Sequence, residues 1–311
     1  MLSAHNLVKK FGSFAAVNGV TFTAPAGAVF GLLGPNGAGK TTTIRMLLDI
    51  ITPDSGEVLF DGKPIDKDTK NRVGYLPEER GLYRKGIVLE TILYFMALKN
   101  MEHAAAKSAA LQWLERFQLA NRAKSKIEEL SKGNQQKVQF ILSVLHNPDV
   151  LVLDEPFAGF DPINQDLLTE IILEQKGKGK AIIFSTHQME QAEKLCDYIC
   201  LINRGGVVLS GTLAEVKSRF SKNIIHVEFT GDGAVFSSAP GVESATVSGN
   251  TAELHLRNGG SFNGVLKYLV ELDGKVSLRK AELMEPSLHS IFIETVGISG
   301  LPAAELQGAR I

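Results

Sequence analysis

Apolar and polar positions along the chain fall into two textures that meet near residue 220. In the first, short β-rich runs occupy residues 3–8, 17–24 and 29–33. The last leads straight into a Gly-rich turn and then a helical stretch from Lys40 to about Ile50. Asp54-Ser55-Gly56 and Asp61-Gly62 read as turns around a strand at 57–60. From 88 to 117 the spacing of Leu89, Ile92, Leu93 and Met96, then Leu111, Leu114 and Phe117, predicts helix. Near-continuous apolar runs follow at 150–153, 181–184 and 198–202, the last closed by the turn Asn203-Arg204-Gly205-Gly206. Apolar strands separated by helices predict a parallel sheet covered on both faces.

Beyond residues 218–222 the runs at 224–229, 242–247, 252–256 and 276–280 alternate or bunch like strands. Residues 262–272 and 286–296 read as helices, with Ile291, Ile293 and Val296 as packing positions. The expected organisation is therefore a large α/β domain over 1–220, a small α+β domain over 221–297, and a loose tail over 298–311.

Composition narrows this further. At 311 residues the chain suits two domains better than one, and 44% hydrophobic with 22% charged residues is an ordinary globular profile. A net charge of -1 supplies no basic field, so no nucleic-acid partner is expected. Cys196 and Cys200 stand four apart, neither a redox pair nor a zinc spacing, and are expected to be two half-buried reduced thiols. Residues 1–10 lack the apolar core of a secretory signal. Nor does any apolar run reach the about 18 residues of a membrane span. The expected location is cytosolic, with any membrane role exercised through partners.

Gly34-Pro35-Asn36-Gly37-Ala38-Gly39-Lys40-Thr41 fits G-x-x-x-x-G-K-[ST] at every fixed position. It also stands where that motif must, after an apolar strand and before a helix. The glycines let successive backbone N–H groups curl around phosphate oxygens, and the helix N-terminus adds its dipole. Lys40 is expected at the β- and γ-phosphates, the Thr41 hydroxyl on Mg²⁺, and Thr42 beside them. Val150-Leu151-Val152-Leu153-Asp154-Glu155-Pro156 puts two adjacent carboxylates at the end of a buried strand, the edge where doubly wound sheets bind ligands. Asp154 suits a Mg²⁺ contact and Glu155, on the other face, the orienting or deprotonation of an attacking water.

With these motifs in place, Leu130-Ser131-Lys132-Gly133-Asn134-Gln135-Gln136 resembles the signature sequence of the ATP-binding subunits of ABC transporters. Lys132 and Asn134 depart from that family's L-S-G-G-Q pattern. The resemblance implies a P-loop ABC cassette with a mixed-sheet core, a helical subdomain near 84–145, and two chains sandwiching two ATP molecules head to tail. Ser131, Lys132 and Gly133 would then meet the γ-phosphate of ATP held by a second ATP-binding subunit. Ala158-Gly159-Phe160-Asp161 resembles the loop that crosses such a dimer. Ser185-Thr186-His187 resembles the segment with the switch histidine, and Phe11 the aromatic that stacks on adenine. An ordinary half-buried Phe is a close rival for Phe11. Glu78 stands where the family usually has Gln, as a further carboxylate toward Mg²⁺.

The run from Gly74 to Tyr83 resembles the sodium-extrusion and ABC-2-type exporter branch, whose subunits carry a small C-terminal domain. The implied function is ATP hydrolysis coupled to export through transmembrane permease subunits, on the cytoplasmic face of the membrane. A soluble ABC ATPase acting on ribosomes or DNA is the alternative. Such proteins usually carry two cassettes, a coiled-coil insertion or zinc-binding cysteines, none of which is present here. His226, His255 and His289 are scattered and read as surface or packing residues.

Overall fold

A computed structural model describes residues 1–79, 81–220, 224–257, 259–271 and 276–297. The expected loose tail at 298–311 lies outside them. The chain divides into two compact units, Met1–Leu213 and Ala214–Gly297.

The first unit opens with β1 (Leu2–Phe11), β2 (Phe14–Ala24) and β3 (Val29–Leu33), then α1 (Lys40–Leu47), β4 (Ser55–Phe60) and β5 (Lys63–Pro64). Next come α2 (Lys67–Asn71), β6 (Val73–Leu76), α3 (Val88–Leu98), α4 (His103–Arg116) and α5 (Lys132–Val144). The unit closes through β7 (Val150–Asp154), α6 (Pro162–Gly177), β8 (Ala181–Thr186), α7 (Met189–Leu195), β9 (Tyr198–Asn203) and β10 (Gly206–Thr212). One sheet is antiparallel in the order β2-β1-β4-β5. The other runs β10-β9-β3-β8-β7-β6 and is parallel except for β10.

The burial of the parallel strands explains their unbroken apolar sequences. Every residue of β3, β7 and β8 is buried. Phe30 and Leu32 of β3 with Val150 and Val152 of β7 join Leu2, Leu7, Val20 and Phe22 of the antiparallel sheet and Ile44 of α1 in one core. Their alternate neighbours face the opposite way, where α6 and α7 pack on the sheet.

The predicted helix over 88–117 is two helices. Asn100, at φ 58°, takes the left-handed conformation that ends α3. Glu102 then caps α4, its carboxylate accepting from the Ala105 N–H at 2.8 Å. Leu111 was expected on the buried face but is exposed; Ala106, Ala110 and Leu114, four apart, form that face instead. The two cysteines are free and fully buried rather than half-buried. Burial pushes the Cys200 thiol up to about 12 and that of Cys196 higher still, so neither is a ready nucleophile.

The unit boundary falls after the first residue of α8 (Leu213–Arg219), and the second unit goes on through β11 (Ile224–Gly231), β12 (Val242–Ser248), β13 (Thr251–Leu256), α9 (Phe262–Glu271), β14 (Val276–Met284) and α10 (Leu288–Val296). Its sheet is antiparallel in the order β12-β13-β11-β14. Ile225, Val227 and Phe229 alternate inward along β11, and their core is closed by Phe236 and by Val265 and Leu269 of α9. Among the described residues no helix is long and apolar enough to cross a membrane.

Phe140 of α5 is fully buried against Phe117, which stacks on Trp113, the chain's single tryptophan. Phe140→Ala should cost about 3–5 kcal/mol as a cavity opens. A denaturant titration followed by Trp113 fluorescence should show the midpoint fall accordingly.

Candidate functional site

Three parallel strands deliver the site from their carboxyl ends. β3 runs into the loop 34–39, β7 ends on Asp154-Glu155, and β8 ends one residue before His187. The loop needs glycine for steric reasons. Gly39 sits at φ 109°, and a Cβ there would collide with the Ala16 carbonyl oxygen of β2. Gly34, at φ 148°, meets the Ile202 carbonyl in the same way. The backbone of the loop is thereby pressed onto two neighbouring strands while α1 begins at Lys40.

Lys40 is buried. Its ammonium donates to the Gly34 carbonyl at 2.8 Å and the Pro35 carbonyl at 3.3 Å, and lies 3.5 Å from Glu155 Oε1. The same Glu155 oxygen lies 3.0 Å from His187 Nδ1. In the tautomer with its proton on Nδ1, His187 donates to this oxygen and Nε2 is left as an acceptor. Glu155 is placed by strain: its φ is 49° just before Pro156. Ser185 holds that turn, accepting from the Glu155 N–H through its hydroxyl at 3.0 Å and its carbonyl at 3.2 Å.

The Ser185 hydroxyl in turn donates to Asp154 Oδ1. Burial raises the Asp154 pKa; the Ser185 and Thr41 hydroxyls oppose that shift, Glu155 adds to it and Lys40 counters it. Asp154 Oδ2 is buried with no hydrogen-bond partner. An orphaned carboxylate oxygen beside the Thr41 hydroxyl is an oxygen-only donor set, which fits a hard divalent cation such as Mg²⁺. Among the described residues there is no group of three or more His, Cys, Asp or Glu side chains suited to a metal.

Lys40, Thr41 and Glu155 open on a cleft bordered by Phe11, Phe14, Ala16, residues 36–42 and Glu78, whereas Asp154, Ser185 and His187 do not line it. Asn36, Gly37, Ala38, Gly39, Lys40, Thr41 and Thr42 line it together, next to the exposed ring of Phe11. Ser131, Lys132, Gly133 and Asp161 do not line it. Ser131 is the N-cap of α5, accepting from the Asn134 N–H at 3.3 Å. Asp161 caps α6, accepting from the Asn164 N–H at 2.9 Å, and these bonds to Asn164 lower its pKa. Gly133 faces the Gly159 carbonyl across the space where a Cβ would stand.

A protein of Bacillus subtilis (strain 168), the uncharacterized ABC transporter ATP-binding protein YhaQ, is 42% identical over 297 residues, covering 96% of this chain and 99% of its own. The chain belongs to the ABC transporter ATP-binding family. The ABC transporter family model matches residues 17–158, and the model for the ATP-binding protein DrrA1-3-like C-terminal domain matches 211–296. The linearmycin resistance ATP-binding protein LnrL of the same bacillus is 32% identical, over 96% of this chain and 98% of that one. The Nod factor export ATP-binding protein I of Burkholderia lata is 38% identical over 71% and 74%. Among solved structures, an ATP-binding subunit of an ABC transporter superposes with a TM-score of 0.67 at 30% identity, covering 71% of this chain and 93% of that one. The dimeric cassette MJ0796, at 23% identity and a TM-score of 0.64, shares the fold over 68% and 99%.

Two residues of this ABC ATP-binding chain escaped the sequence reading of the site. Ser185 is its hub, yet in sequence it is only a hydroxyl before Thr186-His187. Phe14 borders the cleft because of its register opposite Phe11, a tertiary fact.

The raised pKa of Asp154 has a sign that can be checked. A carboxyl raised by burial favours the native state while protonated, and that contribution is lost as pH rises through its native pKa. Asp154→Asn should therefore raise the melting temperature of the nucleotide-free chain at pH 7. The difference should vanish near and below the ordinary carboxylate value of 3.8, in melts run across pH.

Proposed function

We propose that this chain hydrolyses ATP as the motor subunit of an exporter, paired with a second ATP-binding subunit on the cytoplasmic face of transmembrane permease subunits. The observation that carries the reading is the shared Glu155 oxygen, 3.5 Å from Lys40 Nζ and 3.0 Å from His187 Nδ1, at the mouth of a phosphate loop.

In this reading backbone N–H groups of the loop and of the start of α1, with the Lys40 ammonium, bind the β- and γ-phosphates. Thr41 and Asp154, with Glu78 at the cleft wall, would hold Mg²⁺, which supplies neutralising charge to the phosphate oxygens when bound. Once the phosphates engage Lys40, Glu155 is released to accept a proton from the attacking water, and His187 keeps the carboxylate aimed. Phe11 offers the base a stacking face.

The helix N-terminus at Ser131, Lys132 and Gly133, and Asp161 of the loop at 158–161, stand outside the chain's own cleft. That separation is what a head-to-tail pair requires, each chain completing its partner's site. Closure driven by phosphate shared between two chains is a population shift that hydrolysis reverses. For the membrane partner, a groove lies between β6, α3 and α5, with Tyr75, Leu82, Phe95, Met96 and Leu142 in its walls. Tyr83 and Tyr94 stand exposed next to it. The export and resistance named for two relatives support the direction of transport.

Glu155→Gln should lower turnover at least about 100-fold while nucleotide binding persists, as loss of a general base does. Turnover that survives would overturn the hydrolytic role. The same variant, tagged and taken with ATP from detergent-solubilised native membranes, should bring down a polytopic membrane protein in stoichiometric amount; ribosomal or DNA-bound partners alone would overturn the transport role. Glu78→Gln should stay within about tenfold of the parent rate, or ~1.4 kcal/mol in the barrier.

A further inference from the structure

Two of this chain's departures from the sequence pattern it resembles are charges of opposite sign. Glu78 stands where that pattern has Gln, and Lys132 where it has Gly. Both side chains are exposed, and among the described residues neither stands in an ion pair. Glu78 borders the nucleotide cleft. Of the charged residues in that lining, Lys40 and Glu155 lie 3.5 Å apart and answer one another, which leaves Glu78 over. Phosphates entering the cleft bring more negative charge toward it.

Lys132 meets the opposite difficulty. It is the first residue of α5, whose first turn holds no acidic residue, and a cation there opposes the helix dipole. The loop at 158–161 passes close by, at the Gly133–Gly159 contact, but Asp161 gives both carboxylate oxygens to Asn164. Within one chain the two charges are held apart. Gln139 of α5 donates to the Glu79 carbonyl at 3.2 Å. That bond seats the segment after β6 about 10 Å along the helix from Lys132. Each charge is thus placed on the surface with no counter-charge of its own.

We propose that Glu78 of each chain forms an ion pair with Lys132 of a second copy when the two close over nucleotide. The inference rests on the head-to-tail reading above, in which the start of α5 of one chain meets the phosphates in the cleft of the other. Two-fold symmetry makes the pair twice. A carboxylate has two oxygens, so accepting from Lys132 leaves one for the Mg²⁺ that Glu78 faces in that reading. The pair also selects the partner. A subunit without a cation at this position leaves Glu78 enclosed against phosphate with nothing to offset it, so the closed state favours a second copy of this chain.

Sedimentation velocity of the full-length Glu155→Gln chain at saturating Mg-ATP tests this without turnover. Glu78→Lys and Lys132→Glu, each added singly, should weaken the dimer at least about tenfold, because like charges then face each other at both sites. An equimolar mixture of the two single variants should dimerise within about threefold of the parent. Every site in the mixed dimer again joins a Lys to a Glu, and the recovery shows that both variants are folded. Dimers of unchanged strength in the single variants would overturn the pair. Recovery in the doubly substituted chain but not in the mixture would place the contact inside one chain and overturn it equally. So would a mixture and a doubly substituted chain that both stay monomeric. If the Glu155→Gln parent is itself monomeric at saturating Mg-ATP, the head-to-tail reading falls and takes this inference with it.

Discussion

Two adjacent carboxylates at the end of a wholly apolar strand impose the constraint around which the first unit is built. Asp154 and Glu155 are both buried, and ionised groups lose their hydration in such a place unless charge and hydrogen bonds replace it. Lys40 supplies the charge, from the first turn of the helix that follows the phosphate loop. Ser185 supplies the bonds, from the end of the neighbouring strand. Each contributor lies at the carboxyl end of a parallel strand, so the sheet's polarity brings them together. Among these carboxylate oxygens Asp154 Oδ2 is left buried without a hydrogen-bond partner. The site is therefore satisfied except at this one defined oxygen.

What was legible in the sequence was whatever is local. The phosphate loop and the Asp154-Glu155 pair are contiguous motifs whose context, strand before and helix or turn after, can be read from neighbouring residues. The buried parallel strands announced themselves as unbroken apolar runs because no face of them meets water. Less legible was anything that depends on which elements meet. The break between α3 and α4 turns on one left-handed asparagine and one capping glutamate inside an otherwise helical pattern. Leu111 matched the periodicity yet faces solvent, because the face that packs is carried by small alanines at the same spacing. Full burial of Cys196 and Cys200 reflects packing around β9 that four residues of spacing do not reveal.

The same distinction separates the residues that line the cleft from those that do not. Phe11 and residues 36–42 come together in one wall, whereas Ser131 and Asp161 spend their side chains capping α5 and α6. Both caps position a helix N-terminus, with its free N–H groups, away from the chain's own phosphate loop. Neither motif contributes a side chain to the cleft this chain forms on its own.

The internal partners of Lys40 carry a consequence for the end of a catalytic cycle. A lysine that cradles phosphate would be left, on departure of the anion, as a bare cation in a buried place. Here the Gly34 and Pro35 carbonyls and Glu155 stand within its reach. The loop therefore contains its own counter-ligand, and in the proposed cycle letting go of product would be an exchange of partners rather than the stranding of a charge. An engine built this way idles without unravelling its own socket.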